Sequence, residues 1–288
     1  MAGYILYNGF WNRDELPDPV ARLTVAAKRL GVELTPVANT QVYAAIDSGV
    51  SVPPFRVGDF VLFWDKDVRL GRALERMGVR LFNGAEAVAL CDDKSATHLA
   101  LAGHIAMPKT LVAPMTYIDF DGAGDAFLKR AAEEVGFPCV VKECYGSLGG
   151  QVYLAHDAAR LRALADSMCA KPFIVQEYVA ESRGEDVRLY VVGDEVAAAM
   201  RRRNANDFRA NIAEGGTGEA YAPTEEECRM ALAACRRLGL VFGGVDLLHS
   251  ERGPLLCEVN ASAFMAGIIA CTGVDVADRV MRYVLSRL

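Results

Sequence analysis

Three oxygen-bearing side chains interrupt two apolar runs in the last fifth of this chain, and both runs have the composition of buried strands. The runs are GGVDLL (243–248) and PLLCEVN (254–260), and the polar residues in them are Asp246, Glu258 and Asn260. An ionised carboxylate inside a core costs several kcal/mol unless it is paired or binds a metal. The chain must therefore fold so that these side chains find partners.

Two interpretations of these residues stay open on this evidence. On a strand, Glu258 and Asn260 point to the same face, about 6–7 Å apart along the chain, and Asp246 comes from the other run. Two carboxylates and an amide oxygen form an oxygen-only site of the kind that Mg²⁺ prefers, with phosphates filling the other positions. A buried ion pair or a hydrogen-bonded polar cluster would satisfy the same three residues.

The composition is that of a globular protein with ample material for a core. The 288 residues are 52% hydrophobic and 24% charged, which predicts one large domain or two to three small subdomains. The net charge of −6 argues mildly against nucleic-acid and membrane-surface partners. The amino terminus does not have the pattern of a signal peptide, and no apolar run is long enough to span a bilayer.

The cysteines and histidines indicate neither a disulfide framework nor a metal site. The eight cysteines form no C-x-x-C pair and lie mostly in apolar runs, which is typical of reduced, buried thiols and predicts a cytoplasmic protein. The four histidines are scattered along the chain. We interpret all four as surface or loop residues without a catalytic role.

Strands and helices alternate in the first part of the chain, which predicts a small parallel α/β unit. We place its boundary near residue 84, although a single domain is equally compatible with this stretch. A helix is expected over 92–105, after this boundary. The elements expected within the unit are strands at 4–8, 32–37, 59–64 and 79–83 and helices at 18–30 and 68–77.

A glycine-rich loop between two strands distinguishes the middle of the chain. The strand 137–144 contains Lys142 and leads into GSLGG (146–150), and a second strand returns over 151–156. Glycine backbone can turn its N–H groups toward phosphate oxygens, and a lysine adds a point charge. A plain hairpin turn with an exposed lysine would have the same sequence, and neither a P-loop nor a dinucleotide-binding fingerprint is present.

Two further strands end in polar residues that could contact a nucleotide. Gln176, Glu177 and Tyr178 follow an apolar run, where backbone groups could bind the edge of an adenine, or where the strand simply reaches solvent. Asp186 and Arg188 are two apart and share a face of the next strand. They could bind a ribose, or they could form a surface ion pair.

The segment NDFRANIAEGG (206–216) has no hydrophobic periodicity, yet it contains Arg209 and Asn211. An arginine in such a segment could bind phosphate and stabilise charge in a transition state. A mobile polar loop would have the same composition.

Seven segments, in one order along the chain, resemble the ATP-grasp superfamily and within it the RimK-like glutamate ligases. No single segment is decisive, but the order of all seven is highly specific and covers about residues 60–288. The segments are NGAEAVALCDDK (83–94), VVKECYGSLGG (140–150), VQEY (175–178), GEDVRLYVVGDEV (184–196), DFRAN (207–211), GGVDLL (243–248) and LCEVNAS (256–262).

The resemblance implies a mixed α/β protein with the ATP-grasp fold. An N-terminal parallel α/β domain (1–83) would precede two α+β subdomains (84–172 and 173–288) that clamp ATP. Nucleotide contacts are implied for Lys94, Lys142, Gly146, Ser147, Gly149, Gln176, Glu177, Tyr178, Asp186 and Asn211. Two Mg²⁺ ions, for which Mn²⁺ could substitute, would be held by Asp246, Glu258 and Asn260.

The activity implied by the resemblance is ATP-dependent carboxylate–amine ligation through an acyl phosphate. Arg209 would stabilise the acyl phosphate, and Arg202 would bind a substrate carboxylate. The partners would be ATP, an amino acid such as glutamate, and a carboxylate-bearing acceptor, in a protein that could be a homo-oligomer. Two alternatives are an ATP-grasp kinase and a nucleotide-binding regulator without turnover.

The chain departs from the family pattern at two places. The usual G-S-x-G-x-G-V flap is GSLGGQV here, with one glycine shifted. The usual E-V-N-x-S-P-G is EVNASAF, so Ala263 and Phe264 replace Pro-Gly beside the implied acceptor pocket.

One prediction follows from the implied nucleotide site. Mg-ATP should raise the melting temperature by mass action, and Glu258→Ala should abolish most of that shift because it removes a carboxylate expected at the metal. Thermal denaturation of both proteins, with and without Mg-ATP, measures the effect. An unchanged shift in the variant would remove Glu258 from the site.

Overall fold

The computed structural model describes residues 2–10, 16–117, 124–147, 149–168, 170–212 and 215–288. Most of its strands lie in an N-terminal, a middle and a C-terminal sheet that follow one another along the chain, and two short strands form a separate hairpin. The mixed α/β class predicted from the sequence is confirmed. No helix of the described residues is long and apolar enough to cross a membrane.

The N-terminal sheet is parallel and has the strand order β2-β1-β5-β6. Every residue of the central strand Phe60–Trp64 is buried, as expected for a parallel strand that is covered on both faces. The elements of this unit are β1 (Gly3–Tyr7), α1 (Asp18–Arg29), β2 (Leu34–Ala38), the hairpin strands β3 (Ala45–Ile46) and β4 (Val50–Ser51), β5 (Phe60–Trp64), α2 (Val68–Arg76) and β6 (Arg80–Phe82).

The middle sheet is antiparallel and has the order β7-β10-β8-β9. The predicted boundary at residue 172 would assign the strand β10 to the C-terminal subdomain. In the structure β10 pairs with β7 and β8 of the middle sheet. The elements are α3 (Ala85–Asp92), α4 (Lys94–Leu101), β7 (Thr110–Val112), α5 (Asp125–Val135), β8 (Cys139–Glu143), β9 (Val152–Ala155), α6 (Ala158–Met168) and β10 (Phe173–Glu177).

The helix expected over 92–105 is wrong in its bounds, because Asp93 divides this region into α3 and α4. The Asp93 carboxylate accepts hydrogen bonds from the backbone N–H groups of Ser95 and Ala96. A side chain that caps a helix in this way begins a new helix rather than continuing the previous one.

The C-terminal sheet is antiparallel and has the order β13-β12-β11-β14-β15. The elements are β11 (Glu185–Val192), β12 (Glu195–Arg203), β13 (Thr217–Ala220), α7 (Glu225–Leu238), β14 (Phe242–Ser250), β15 (Gly253–Asn260), α8 (Ala266–Thr272) and α9 (Val276–Ser286).

Alternation along β11 separates the core of the C-terminal unit from its polar face. Val187 and Leu189 pack in the cluster that contains α7, whereas Tyr190 packs on the opposite face against α8 and α9. Asp186 and Arg188 share that opposite face with Tyr190 because side chains alternate along a strand. The two helices thus cover one half of the face, and the charged half borders the middle unit.

A fully buried asparagine joins the N-terminal unit to the C-terminal sheet. The Asn83 Nδ2 group donates to the carbonyl oxygens of Phe242 (2.9 Å) and Ala261 (3.2 Å). Its Oδ1 accepts from the N–H groups of Val241 (2.7 Å) and Phe242 (3.2 Å). Three of these hydrogen bonds are buried and the one from Val241 is partly buried, so water cannot replace most of them when the side chain is removed.

A buried histidine joins α4 to the middle sheet. The carbonyl oxygen of Lys94 can only accept, so His98 Nδ1–H donates to it (2.7 Å), and His98 Nε2 accepts from Gln176 (2.9 Å). Gln176 also donates to Thr110 (2.8 Å). The prediction that every histidine lies at the surface or in a loop is wrong for His98, which is 5% exposed on the inner side of α4.

We expect Asn83→Ala to lower the free energy of unfolding by roughly 3 kcal/mol or more, because several buried backbone groups lose their partners at once. Urea denaturation measures the change. The matched variant Asn206→Ala alters an exposed asparagine and should cost less than about 0.5 kcal/mol. Equal stability of the two variants would mean that Asn83 does not join the units.

His98 should make the stability pH-dependent. Burial lowers its pKa to about 4, and the charge of the nearby Lys142 adds to this effect. The unfolded chain, with a histidine pKa of about 6.5, therefore takes up the proton first, and stability is lost as the pH falls from about 6.5 to about 4. The wild-type protein should lose roughly 2–3 kcal/mol of its free energy of unfolding over this pH window because of His98, and the variant His98→Gln should not.

Urea denaturation at a series of pH values checks this expectation, with His156→Gln as the control because His156 is exposed on the middle unit. The control should follow the wild-type curve. If His98→Gln also follows it, His98 does not stay neutral in the folded protein.

Candidate active site

A cleft of about 840 Å³ lies between the middle and C-terminal sheets, and it collects all but two of the candidate site residues that the sequence singles out. The exceptions, Arg188 and Asn260, line a second cavity that continues from the cleft. The predicted residues in the cleft are Lys94, Lys142, Gly146, Ser147, Gly149, Gln176, Glu177, Tyr178, Asp186, Arg202, Arg209, Asn211, Asp246 and Glu258.

The strand register of the C-terminal sheet brings its charged residues side by side. Across β11, β14 and β15, Arg188 lies opposite Asp246, and Asp246 lies opposite Glu258. Across β11 and β12, Asp186 lies opposite Arg202. Side chains directly opposite one another on one face are about 4.5–5.5 Å apart at Cβ, within reach of direct ion pairs. The charges thus form a continuous array on the half of the face that α8 and α9 leave uncovered.

Arginine–carboxylate pairs hold this array together. Arg188 donates to both oxygens of Asp246 at 2.7 Å, and Arg202 donates to both oxygens of Asp186 at 2.6 Å. Arg202 also approaches Asp246 at 2.9 Å. Burial alone would raise the pKa of the Asp246 carboxyl, but the two arginines outweigh burial and hold its pKa at about 2. Asp186 and Arg188 are therefore not the surface pair that the sequence allowed.

The donor set fits a magnesium ion if Asp246 shares its oxygens with the arginines. Glu258 is more open than Asp246, since its side chain is 28% exposed against 3% for Asp246, and its ion pair with Lys94 is 3.8 Å long. The Asn260 Nδ2 atom is buried and has no hydrogen-bond partner among the residues that the structure describes, so within that part of the chain the amide is not committed elsewhere through that atom. Among the described residues no three His, Cys, Asp or Glu side chains converge as metal ligands, so an amide oxygen would have to complete the set.

Two buried lysines face the cleft from the middle unit. Lys94 begins α4 and is 7% exposed, and Lys142 on β8 is 6% exposed. The alternative interpretation of Lys142 as an exposed lysine beside a plain hairpin turn is therefore wrong. An ammonium group in such a place requires a negative partner, and Lys142 Nζ has only the Cys257 thiol near it, at 3.6 Å, among the hydrogen bonds of the described residues. Both lysines are suited to binding an anion.

The glycine-rich loop and the segment around Arg209 pack against each other. Arg209 Nη1 donates to the carbonyl oxygen of Gly149 (2.6 Å). Gly149 has a φ of +84°, and a Cβ there would lie 3.1 Å from Asn211 Oδ1, so a side chain would be strained as well as crowded. Leu148, in the middle of the loop, lies outside the described residues. The contact puts Arg209 and Asn211 directly beneath the loop.

The far end of the cleft contains Gln176, Glu177 and Tyr178. The Glu177 carboxylate accepts from the N–H of Lys109 (3.0 Å) and pairs with Arg252, so its side chain is held by the protein. The Gln176 side chain is likewise engaged with His98. The backbone of this segment, rather than the side chains of Gln176 and Glu177, is thus the part suited to contact a ligand, as the sequence suggested.

Cys257 and Lys66 are among the residues at the site that sequence reasoning missed. Cys257 should face away from the cleft, because it neighbours Glu258 on a strand, but a register shift after Asp246 brings both residues into the lining. No local pattern predicts such a shift. Lys66, after β5, reaches Ser147 Oγ (3.0 Å) and pairs with Asp92 on α3. It comes from the N-terminal unit, so only the tertiary fold reveals it.

Comparison with known proteins identifies the family to which the chain belongs. The profile of the RimK-like ATP-grasp domain matches residues 91–284. A probable α-L-glutamate ligase 2 of Shewanella denitrificans is 33% identical over 283 residues, which are 91% of this chain and 90% of that protein.

Two solved structures share the fold. The RimK domain ATP-grasp protein of Sphaerobacter thermophilus has a TM-score of 0.75 at 22% identity and covers 98% of this chain and 99% of that one. The ATP-grasp ligase PsnB, solved with a precursor variant, Mg and ADP, has a TM-score of 0.71 at 18% identity, covering 100% and 99%. The chain is therefore a member of the RimK-like ATP-grasp family.

Proposed function

We propose that this protein is an ATP-dependent carboxylate–amine ligase that forms an amide bond through an acyl phosphate. The observation that supports this proposal is that the cleft and the second cavity share lining residues. Gly146, Ser147, Arg202, Asn211 and Glu258 line both of them. The phosphate end of a nucleotide in the cleft would therefore face a second substrate in the neighbouring cavity.

In the first step, an oxygen of the substrate carboxylate attacks the γ-phosphorus of ATP, and ADP leaves. The γ-phosphoryl group carries its charge on oxygens, so nearby cations lower the barrier without any covalent catalysis by the protein. Lys94 and Lys142 supply buried ammonium groups on one side of the cleft, and Arg209 supplies a guanidinium beneath the glycine-rich loop.

In the second step, an amine attacks the carbonyl carbon of the acyl phosphate, and inorganic phosphate leaves. Arg202 lines both cavities and is suited to orient the carboxylate and then the carbonyl. Gly146, Ser147 and Gly149 of the glycine-rich loop line the cleft, and a loop that excluded water there would protect the acyl phosphate from hydrolysis. The amine proton can pass to the departing phosphate or to water, so no side-chain base is required.

Magnesium fits this site through Asp246, Glu258 and Asn260, and we propose two ions, for which Mn²⁺ could substitute. When bound, magnesium supplies positive charge to the phosphates. The presence of Mg and ADP in the PsnB structure supports this assignment.

The partners that we propose are ATP, an amino acid as the amine and a carboxylate-bearing acceptor. The name of the Shewanella relative supports glutamate as the amino acid. We also propose that the protein acts in the cytoplasm without a nucleic-acid or membrane partner. The free thiols of the seven described cysteines and the net charge of −6 support this.

The proposal is tested by measuring ADP and phosphate release from Mg-ATP with amino acids and carboxylic acids, singly and in pairs, and by weighing the products. A ligase requires both a carboxylate and an amine, and its product has the summed mass less one water. A phosphorylated product formed without an amine would show a kinase. Tight ATP binding without turnover under any pair would show a regulator.

Arg209→Ala should lower kcat by about 100-fold or more, because a cation near the transferred group acts mainly on the transition state. The melting-temperature shift produced by Mg-ATP should largely remain. Arg203→Ala is the matched control, since Arg203 lies at the exposed end of β12 and pairs with Glu185 and Glu219. An unchanged kcat in Arg209→Ala would place Arg209 away from the reacting atoms.

A further inference from the structure

We propose that Asp207 and Gly184 are positioning residues that hold the guanidinium of Arg209 in place before the substrates bind. Their role rests on the proposed function and extends it to two residues outside the cleft. It follows from the way in which the segment 204–209 is held, although this segment contains neither a helix nor a strand.

Gly184 anchors the backbone of this segment to the C-terminal sheet. It comes directly before β11. The N–H of Asn204 donates to the carbonyl oxygen of Gly184 (2.8 Å), and the N–H of Gly184 donates to the carbonyl oxygen of Phe208 (2.9 Å). Both ends of the segment 204–208 are therefore tied to a single residue at the start of a strand.

The contact at position 184 requires a glycine. The φ of Gly184 is +67°, in the left-handed region that other residues rarely adopt. A Cβ there would lie 2.3 Å from the carbonyl oxygen of Asn204 and 2.7 Å from that of Asp207. Because both of these atoms belong to the backbone, a side chain at position 184 would push the whole segment away from the sheet.

Asp207 holds the guanidinium of Arg209. Its Oδ1 accepts from Nε (3.0 Å) and its Oδ2 from Nη2 (2.8 Å), and Oδ1 also accepts from the backbone N–H of Arg209 (2.8 Å). The hydrogen bonds from the arginine side chain keep the pKa of the Asp207 carboxyl below its usual range, so this group is ionised at neutral pH. A bidentate pair fixes the plane of the guanidinium as well as its location.

The guanidinium held in this way is turned toward the glycine-rich loop. Its Nη1 donates to the carbonyl oxygen of Gly149 (2.6 Å). Arg209 and Gly149 both line the cleft, whereas Asp207 and Gly184 are not among the described residues that line it. The two supporting residues therefore act on a bound ligand through Arg209 rather than by contact.

An arginine that is fixed in advance favours the transition state over the bound substrate. A guanidinium on a free side chain would have to be ordered in each turnover, whereas one held by Asp207 presents its charge without reorganisation. The negative charge of Asp207 offsets part of the attraction between Arg209 and the phosphates of a bound nucleotide. The pair should therefore contribute to the rate of reaction more than to nucleotide affinity.

Asp207→Asn separates the rate from the affinity. Asparagine keeps an oxygen for the N–H of Arg209 but lacks the second charged oxygen for the guanidinium. With the carboxylate–amine pair that gives turnover, we expect kcat to fall about 10-fold or more, while the melting-temperature shift produced by Mg-ATP remains or increases. The control Asp194→Asn alters a carboxylate that is 77% exposed, and it should have the kcat of the wild type.

Gly184→Ala should also lower kcat about 10-fold or more, because it displaces the segment that carries Arg209. Gly31→Ala is the matched control. Gly31 has a φ of +78° and nothing within 4 Å of an added Cβ, so this variant has similar backbone strain without a displaced neighbour, and its kcat should not change.

A double-mutant cycle shows whether Asp207 acts through Arg209. In the Arg209→Ala background, Asp207→Asn should lower kcat by less than about 2-fold, because there is no guanidinium left to position. A further 10-fold loss in this background would overturn the proposal. An unchanged kcat in either single variant, or a lost Mg-ATP shift in Asp207→Asn, would overturn it as well.

Hydrogen–deuterium exchange tests the support of the segment separately from the ligase proposal. We would measure it by mass spectrometry on the full chain with Mg²⁺ and a non-hydrolysable ATP analogue. Amides of residues 204–209 should exchange about 10-fold or more faster in Gly184→Ala than in Gly31→Ala. Faster exchange without turnover of any carboxylate–amine pair would overturn the ligase proposal and leave the support of Arg209 standing. Turnover with unchanged exchange would do the reverse.

Discussion

The charged array on the C-terminal sheet is the constraint on which the rest of the site depends. Asp186, Arg188, Arg202 and Asp246 are largely withdrawn from water, and each is tolerable only because its neighbours across the strands carry the opposite charge. The strand register fixes those neighbours. Loss of any one member would leave an uncompensated buried charge, so the array and the sheet must form together.

The array also explains why the cleft lies where it does. Helices α8 and α9 cover the part of the sheet face that carries Tyr190, and they stop where the charges begin. The middle unit faces the uncovered part with Lys94 and Lys142. The contact of Asn83 between the N-terminal unit and the C-terminal sheet, and that of His98 within the middle unit, hold these surfaces in position. A ligand with many negative oxygens therefore meets charges that are already in position, which limits the reorganisation needed during reaction.

Much of this could be predicted from the sequence, because charged residues within apolar runs have few permitted environments. Asp246, Glu258 and Lys142 are recognisable on that ground alone, and alternation on strands places Asp186 and Arg188 on one face. The break between α3 and α4 also had a local signal, because Asp93 is a helix-capping residue. The inner position of His98 had one too, because His98 has the spacing of the buried face of α4. Cys257 and Lys66 had none, since a register shift and a contact between distant units create their positions.

The central claim is that a substrate carboxylate, rather than water or a hydroxyl group, receives the γ-phosphoryl group. A substrate that carries ¹⁸O in its carboxylate tests this most directly, with the released phosphate analysed by mass spectrometry. The account predicts one ¹⁸O atom in each phosphate, because the oxygen bonded to phosphorus leaves when the amine attacks the carbonyl carbon. Phosphate without the label would contradict the account, since it would mean that the carboxylate never bonds to phosphorus.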